Sequence, residues 1–191
     1  MRKMDLGTHD LIRSFGIQTN WYVITGASSS GKTTLINQID TQGFQVVPEV
    51  GRQYFERELA TGRTIDDIRN NPITMTREIH KLTLELAAER KTTDNVFFDR
   101  GIPDSLAFYR FVGMNPDQIL QDCFQYCYTS IFILDRLPYQ QDEIRKGDDK
   151  TATYFDKWLE HDYSALGYKV IRVPVTPPEE RLAFILNRIS V

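Results

Sequence analysis

The residues best equipped for chemistry lie in one run, Gly26-Ala27-Ser28-Ser29-Ser30-Gly31-Lys32-Thr33, which satisfies the spacing GxxxxGK[ST] in full. Glycines at both ends let the backbone bend so that successive N–H groups converge on phosphate oxygens. Lys32 supplies a point charge for the outer phosphates, and the Thr33 hydroxyl is a ligand suited to Mg2+. Gly26, Ser28, Ser29, Ser30, Gly31, Lys32, Thr33 and Thr34 form the predicted nucleotide-contacting set. Average residue usage produces this pattern roughly once in a hundred chains of this length. A serine-rich turn without a ligand is the alternative, but an apolar strand-like stretch before it and a helical stretch after it supply the required context. The spacing predicts a nucleoside triphosphate site, with ATP and Mg2+ as the cofactors.

Further charged residues end apolar runs. Asp99 closes Phe97-Phe98 and is placed to sit beside the metal, through water, with Thr33 as the other metal-side group; capping the next turn is its alternative role. Arg100 follows it, and Glu49 and Arg52 follow the run Phe44–Pro48. Features of GTP-reading switches are missing: there is no Asn-Lys pair, and no DxxG pattern follows at Asp99. ATP is therefore expected over GTP.

These residues need elements to hold them. Five short apolar, β-branched or aromatic stretches read as buried strands: Trp21–Thr25, Phe44–Pro48, Asn95–Asp99, Ser130–Leu134 and Lys169–Val173. Near-continuous hydrophobicity predicts parallel strands covered on both faces. Helices are expected over Lys32–Gln42, Gly51–Ala60, Pro72–Lys91, Pro103–Val112, Pro116–Tyr126, Thr151–Leu166 and Pro178–Ile189. Alternating strands and helices predict an α/β fold with right-handed crossovers. The polar run Arg136–Lys150 has no clear period and reads as a lid over residues 136–150; a solvated loop with idle arginines is the alternative.

The chain has 191 residues, which predicts one domain with residues 1–20 as an N-terminal extension, either tail or packing helix. With 23 Lys and Arg against 26 Asp and Glu, the net charge of −3 argues against a nucleic-acid coat. No secretory signal and no membrane-spanning run are evident, so a cytoplasmic protein is expected. Cys123 and Cys127, spaced CxxxC on a predicted helix, read as half-buried thiols of a reducing compartment, with redox or metal work as the alternative. His9, His80 and His161 have no metal-ligand spacing and read as structural or exposed, with Arg77 and His80 as candidate substrate contacts. Tyr154, Phe155 and Trp158 read as core residues on a helix.

The phosphate loop together with Pro48-Glu49-Val50-Gly51-Arg52, Asp99-Arg100-Gly101, Asp135-Arg136-Leu137-Pro138-Tyr139, Asp142–Arg145 and Val173-Pro174 resembles the nucleoside and nucleoside-monophosphate kinase branch of P-loop proteins. More narrowly, it is similar to a small ATPase/kinase-like family related to the ribosylnicotinamide kinase domain of bacterial NAD regulators. The resemblance runs over residues 21–189 and implies a three-layer fold with a five-stranded parallel sheet in the order 2-3-1-4-5. It implies that Glu49 accepts the proton of an attacking hydroxyl, with Arg52 and Arg100 at the acceptor or its phosphate. The competing roles are a surface pair between Glu49 and Arg52, and a structural salt bridge for Arg100. Arg136 is placed to stack on adenine and Arg145 to reach the transferring phosphate. The expected activity is ATP- and Mg2+-dependent phosphoryl transfer to a small nucleoside-like molecule, with no nucleic-acid or membrane partner. A regulatory ATPase read by a protein partner is the alternative.

Overall fold

Trp21-Tyr22-Val23-Ile24-Thr25 is buried at every position, and the described fold is arranged around it. The structure, a computed structural model, describes residues 15–137 and 149–189. In chain order the elements are β1 (Ile17–Gln18), β2 (Trp21–Thr25), α1 (Lys32–Thr41), β3 (Gln45–Val47), α2 (Val50–Ala60), α3 (Ile65–Arg69), α4 (Pro72–Ala88), β4 (Val96–Asp99) and α5 (Asp104–Phe111). Two 3-10 turns, Pro116–Ile119 and Asp122–Phe124, lead to β5 (Tyr126–Cys127), β6 (Ser130–Leu134), α6 (Asp149–Ala165), β7 (Val170–Val173) and α7 (Pro178–Leu186).

Side chains alternate across a strand, so β2 feeds two cores at once. Trp21 and Val23 pack with Phe98, Ile131 and Ile133 against Ala87 of α4, Leu106 of α5, and Leu159 and Tyr163 of α6. Tyr22 and Ile24 pack on the opposite face with Leu35 and Ile39 of α1 and Ile185 of α7. At about 1.5–3 kcal/mol for each large apolar side chain fully removed from water, this two-sided burial is what holds three layers together. The indole N–H of Trp21 donates to the Lys91 carbonyl at 3.1 Å, so its one polar group is satisfied.

The main sheet runs β3-β4-β2-β6-β7, with every pair parallel. This is the order 2-3-1-4-5 that the resemblance implied. Register places Ile24 opposite Asp99 and Thr25 opposite Ile133, so the carboxyl ends of the three central strands share one edge. That edge is where open α/β sheets place ligands.

Two sequence expectations are corrected. Pro116–Tyr126 is not an α-helix but two 3-10 turns followed by a short strand, with tight bonds such as Leu120 N–H to the Asp117 carbonyl and Gln125 N–H to the Asp122 carbonyl. Buried Ile119, Cys123 and Tyr126 recur at steps of four and three, which imitates helical spacing without requiring a helix. Cys123 and Cys127 are consequently not on one helix. The described part of the N-terminal extension is neither tail nor helix: β1 pairs in parallel with β5, and Phe15 packs on Phe124 and Tyr168 at ring distances of 5.3 and 4.9 Å. Sequence reading also passed over α3, which is closed by a reciprocal cap between Thr64 and Asp67. Among the described residues, no helix is long and apolar enough to cross a membrane.

Candidate active site

The phosphate loop spans the gap between β2 and α1. A Cβ on Gly26 would lie 2.9 Å from the Leu134 carbonyl oxygen, and its φ of +144° is closed to most side chains, so only glycine fits there. Ser29 carries the turn at φ +61°, a conformation that costs a non-glycine residue about 1–2 kcal/mol. Lys32 folds back and donates to the carbonyls of Gly26 and Ala27 at 3.0 and 2.9 Å. Burial, helped by the nearby charge of Arg100, pushes the Lys32 ammonium down to about 7. Thr33 and Thr34 are exposed in the first turn of α1, and Ser28 and Ser29 are exposed on the loop. Ser30 is buried, and its Oγ has no hydrogen-bond partner among the described residues.

Behind the loop stands Arg181 of α7, which sequence reading missed. Its Nη1 donates to the Ser30 carbonyl at 2.6 Å and its Nε to the Pro174 carbonyl at 3.0 Å, tying the loop to the segment after β7. Nothing in the local pattern around Pro178 marks this arginine as different from a solvated one.

Asp99 ends β4, is 4% exposed, and has an Oδ1 with no partner among the described residues. Burial raises its carboxyl to about 6, against the opposing pull of Arg100. Buried polar atoms without partners are uncommon. An orphaned carboxylate oxygen beside a lysine, exposed threonine hydroxyls and a bent loop fits a polyphosphate carrying Mg2+, an ion that prefers oxygen donors and retains water. Thr33 and Asp99 are the residues suited to hold that ion.

Arg100 takes φ +74° and carries the turn from β4 to α5. Its Nε donates to Glu49 Oε1 at 3.4 Å and its Nη1 to Asp104 Oδ1 at 3.3 Å, with the guanidinium 5.3 Å from the Phe108 ring centroid. Burial alone would lower it, but Asp104, Glu49 and Asp99 outweigh that and raise it. Asp104 was missed by sequence reading, although its place one turn beyond Asp99-Arg100-Gly101 was a signal. Its carboxylate is 3% exposed and accepts from the Gly101 N–H at 3.0 Å, the Tyr163 hydroxyl at 2.6 Å, Thr25 Oγ1 and Arg100. Gly101 belongs here because a Cβ would meet the Tyr163 hydroxyl at 2.6 Å.

Glu49 precedes α2 and makes no side-chain cap; it pairs with Arg100, not with Arg52. Arg52 is exposed on the first turn of α2. Glu49, Arg52, Asp99 and Arg100 all line one cavity of about 520 Å3, whose remaining walls come from α2, α3, α4 and α5. Arg136 lies elsewhere, bonded to Thr153 Oγ1 at 2.6 Å and to Asp149. Arg145, and the predicted lid except at its two ends, lie outside the described residues.

A five-stranded parallel sheet, a glycine-bounded phosphate loop and an acid–arginine cluster at its edge define an α/β protein of the P-loop class. The chain belongs to the AAA domain family, whose profile matches residues 21–181. No curated protein matches it in sequence. Similar solved structures include a deoxyadenosine kinase from M. mycoides with products bound, at TM-score 0.64 and 13% identity over 88% of this chain and 97% of that one. The NadR protein in complex with NR superposes at TM-score 0.64 and 14% identity over 91% of this chain, which spans only 50% of NadR. A shikimate kinase from Aquifex aeolicus follows at TM-score 0.52 and 16% identity over 87% of this chain and 94% of that one. All three share the fold, and two of them are described as kinases.

Proposed function

We propose that this chain is an ATP- and Mg2+-dependent phosphotransferase acting on a small nucleoside-like acceptor. The observation that carries the reading is the 520 Å3 cavity, which has the size of a small-molecule site and is lined by Glu49, Asp99 and Arg100. The charges of these three residues also act on Lys32 of the phosphate loop, so cavity and loop form one electrostatic unit.

ATP with Mg2+, held by Lys32, Thr33, Asp99 and the loop backbone, supplies the phosphoryl group. The chain's own contribution is positioning and charge, as is usual for this reaction class. Glu49 accepts the proton of the acceptor hydroxyl, and Arg100 orients that carboxylate while Asp104 fixes Arg100 from behind. Arg52, at the rim, offers an additional cation to the acceptor. Arg145 and the segment 136–150 are proposed to cover the site and exclude water, and Arg136 to meet the base.

The test is incubation of the protein with ATP, Mg2+ and a panel of nucleosides, nucleotides and ribosides, read by appearance of phosphorylated acceptor. Glu49→Gln should lower kcat by about 10²–10⁴-fold, the range of a positioned general base, with ATP affinity kept. Slow ADP release that no acceptor accelerates or consumes would sink the kinase reading and favour the regulatory ATPase.

A further inference from the structure

Three residues from separate segments meet at the cavity wall in an arrangement that phosphoryl transfer does not use. Ser105, in the first turn of α5, lines the cavity and is 8% exposed; His80, in α4, is 5% exposed behind it. His80 Nδ1 lies 3.0 Å from Ser105 Oγ, and His80 Nε2 lies 2.9 Å from Asp122 Oδ2 in the second 3-10 turn. The imidazole also packs edge-on to Tyr109, 5.8 Å between centroids at 76°, which holds its orientation.

The direction of these bonds follows from what each group can do. A carboxylate only accepts, so the ring proton sits on Nε2 and points at Asp122. In the neutral imidazole Nδ1 is then bare and accepts, so the Ser105 hydroxyl spends its hydrogen on His80. Only oxygen lone pairs are left for the cavity. Of the other inner polar groups, Asp104 is filled by its own donors and the Thr83 hydroxyl donates to the Ile79 carbonyl of its own helix, while Thr76 also lines the wall and Asp99 Oδ1 has no partner among the described residues. Phe55, Met75, Ile79 and Phe108 supply apolar wall around Ser105.

We propose that Ser105 selects the acceptor by reading an N–H donor, with His80 and Asp122 as positioning residues, and that the acceptor is a riboside whose base carries an amino N–H between otherwise apolar contacts. This rests on the acceptor-pocket reading above and narrows it to a class. A hydroxyl locked as an acceptor discriminates because the amino group gains a bond that its methylated counterpart cannot form, about 1 kcal/mol or some five- to tenfold.

The experiment is titration calorimetry of the full chain with two matched pairs, adenosine against N6,N6-dimethyladenosine and cytidine against N4,N4-dimethylcytidine. The amino member of at least one pair should bind about five- to tenfold more tightly. Ser105→Ala should bring that ratio close to one. Ser105→Cys keeps the side-chain shape and offers a weak acceptor, so it should do the same if alanine unfolds the site. His80→Phe preserves the aromatic packing but frees the hydroxyl to turn its hydrogen inward; the ratio should collapse, whereas a merely structural histidine would weaken both members equally. An unchanged ratio in Ser105→Ala and Ser105→Cys, or failure of both pairs to bind the wild-type chain, overturns the proposal. Phosphoryl transfer from ATP to the bound riboside is read separately: its absence with discrimination intact removes the kinase reading and leaves the selecting serine in place.

Discussion

Replacing Asp104 tests whether one buried carboxylate organises the cluster at the carboxyl edge of the sheet. Asp104→Ala deletes the acceptor for the Gly101 N–H, the Tyr163 hydroxyl, Thr25 Oγ1 and Arg100 together. The first three donors are buried, and stranding each costs about 1–2 kcal/mol, or roughly 3–6 kcal/mol combined. Arg100 keeps Glu49 at 3.4 Å, so loss of its second partner adds only about 1 kcal/mol. The total, about 4–7 kcal/mol, is a large part of the 5–15 kcal/mol typical of a folded protein. At roughly 2–4 °C per kcal/mol for a chain of this size, the melting temperature should fall by about 10–25 °C. Asp104→Asn retains one acceptor oxygen and should lose about half as much. Urea unfolding with both variants, analysed at constant denaturant slope, gives the two numbers. A loss below about 2 kcal/mol for Asp104→Ala at unchanged slope would refute the reasoning, because it would mean that these donors find water or other partners. Equal losses for alanine and asparagine would refute the part assigned to the remaining oxygen.

Two further outcomes bear on the core and the thiols. Arg110 pairs with Asp162 at 2.5 Å and lies 4.3 Å from the Trp158 ring, so Arg110→Ala should cost about 3–5 kcal/mol at neutral pH by leaving a 2%-exposed carboxylate alone. Burial already holds the Asp162 carboxyl above its ordinary value, so the folded state binds its proton more tightly than the unfolded chain does. Its favourable contribution is therefore complete below the unfolded value of about 3.9 and is lost as pH rises. The deficit of Arg110→Ala should thus shrink on acidification, and chemical unfolding at acid and neutral pH would measure this; a deficit that grows on acidification counts against it. Burial pushes both the Cys123 and Cys127 thiols up, so native protein should react slowly with a thiol reagent and yield two fast thiols only in denaturant. Rapid native reaction at either cysteine would reopen the redox role of the pair.

The parts of the site legible in the sequence are those that local rules write. GxxxxGK[ST] is dictated by backbone sterics and by convergence of N–H groups on phosphate, both confined to residues 26–33. Asp99 was legible because an apolar run ending in an acid marks a strand end. Trp21–Thr25 and Ser130–Leu134 came out with their predicted bounds, since continuous burial leaves continuous hydrophobicity. The segment 116–126 misled for the same reason in reverse, its buried residues recurring at helical steps within 3-10 turns and a strand.

What the chain's linear order does not carry is which distant groups meet. Arg100 could be given a site or a salt bridge; the fold puts it on Glu49 and Asp104 while it still lines the cavity. Arg181 reaches Ser30 across 151 residues, and His80 reaches Ser105 and Asp122 across 25 and 42. No local propensity or period encodes such pairs, because they follow from the twist and stacking of whole elements around the two cores flanking β2. The sequence by itself determined a phosphate-binding loop on a parallel α/β sheet. Only the tertiary structure decided the shape and polarity of the cavity beside it, since packing of α2, α3, α4 and α5 sets which side chains face inward together.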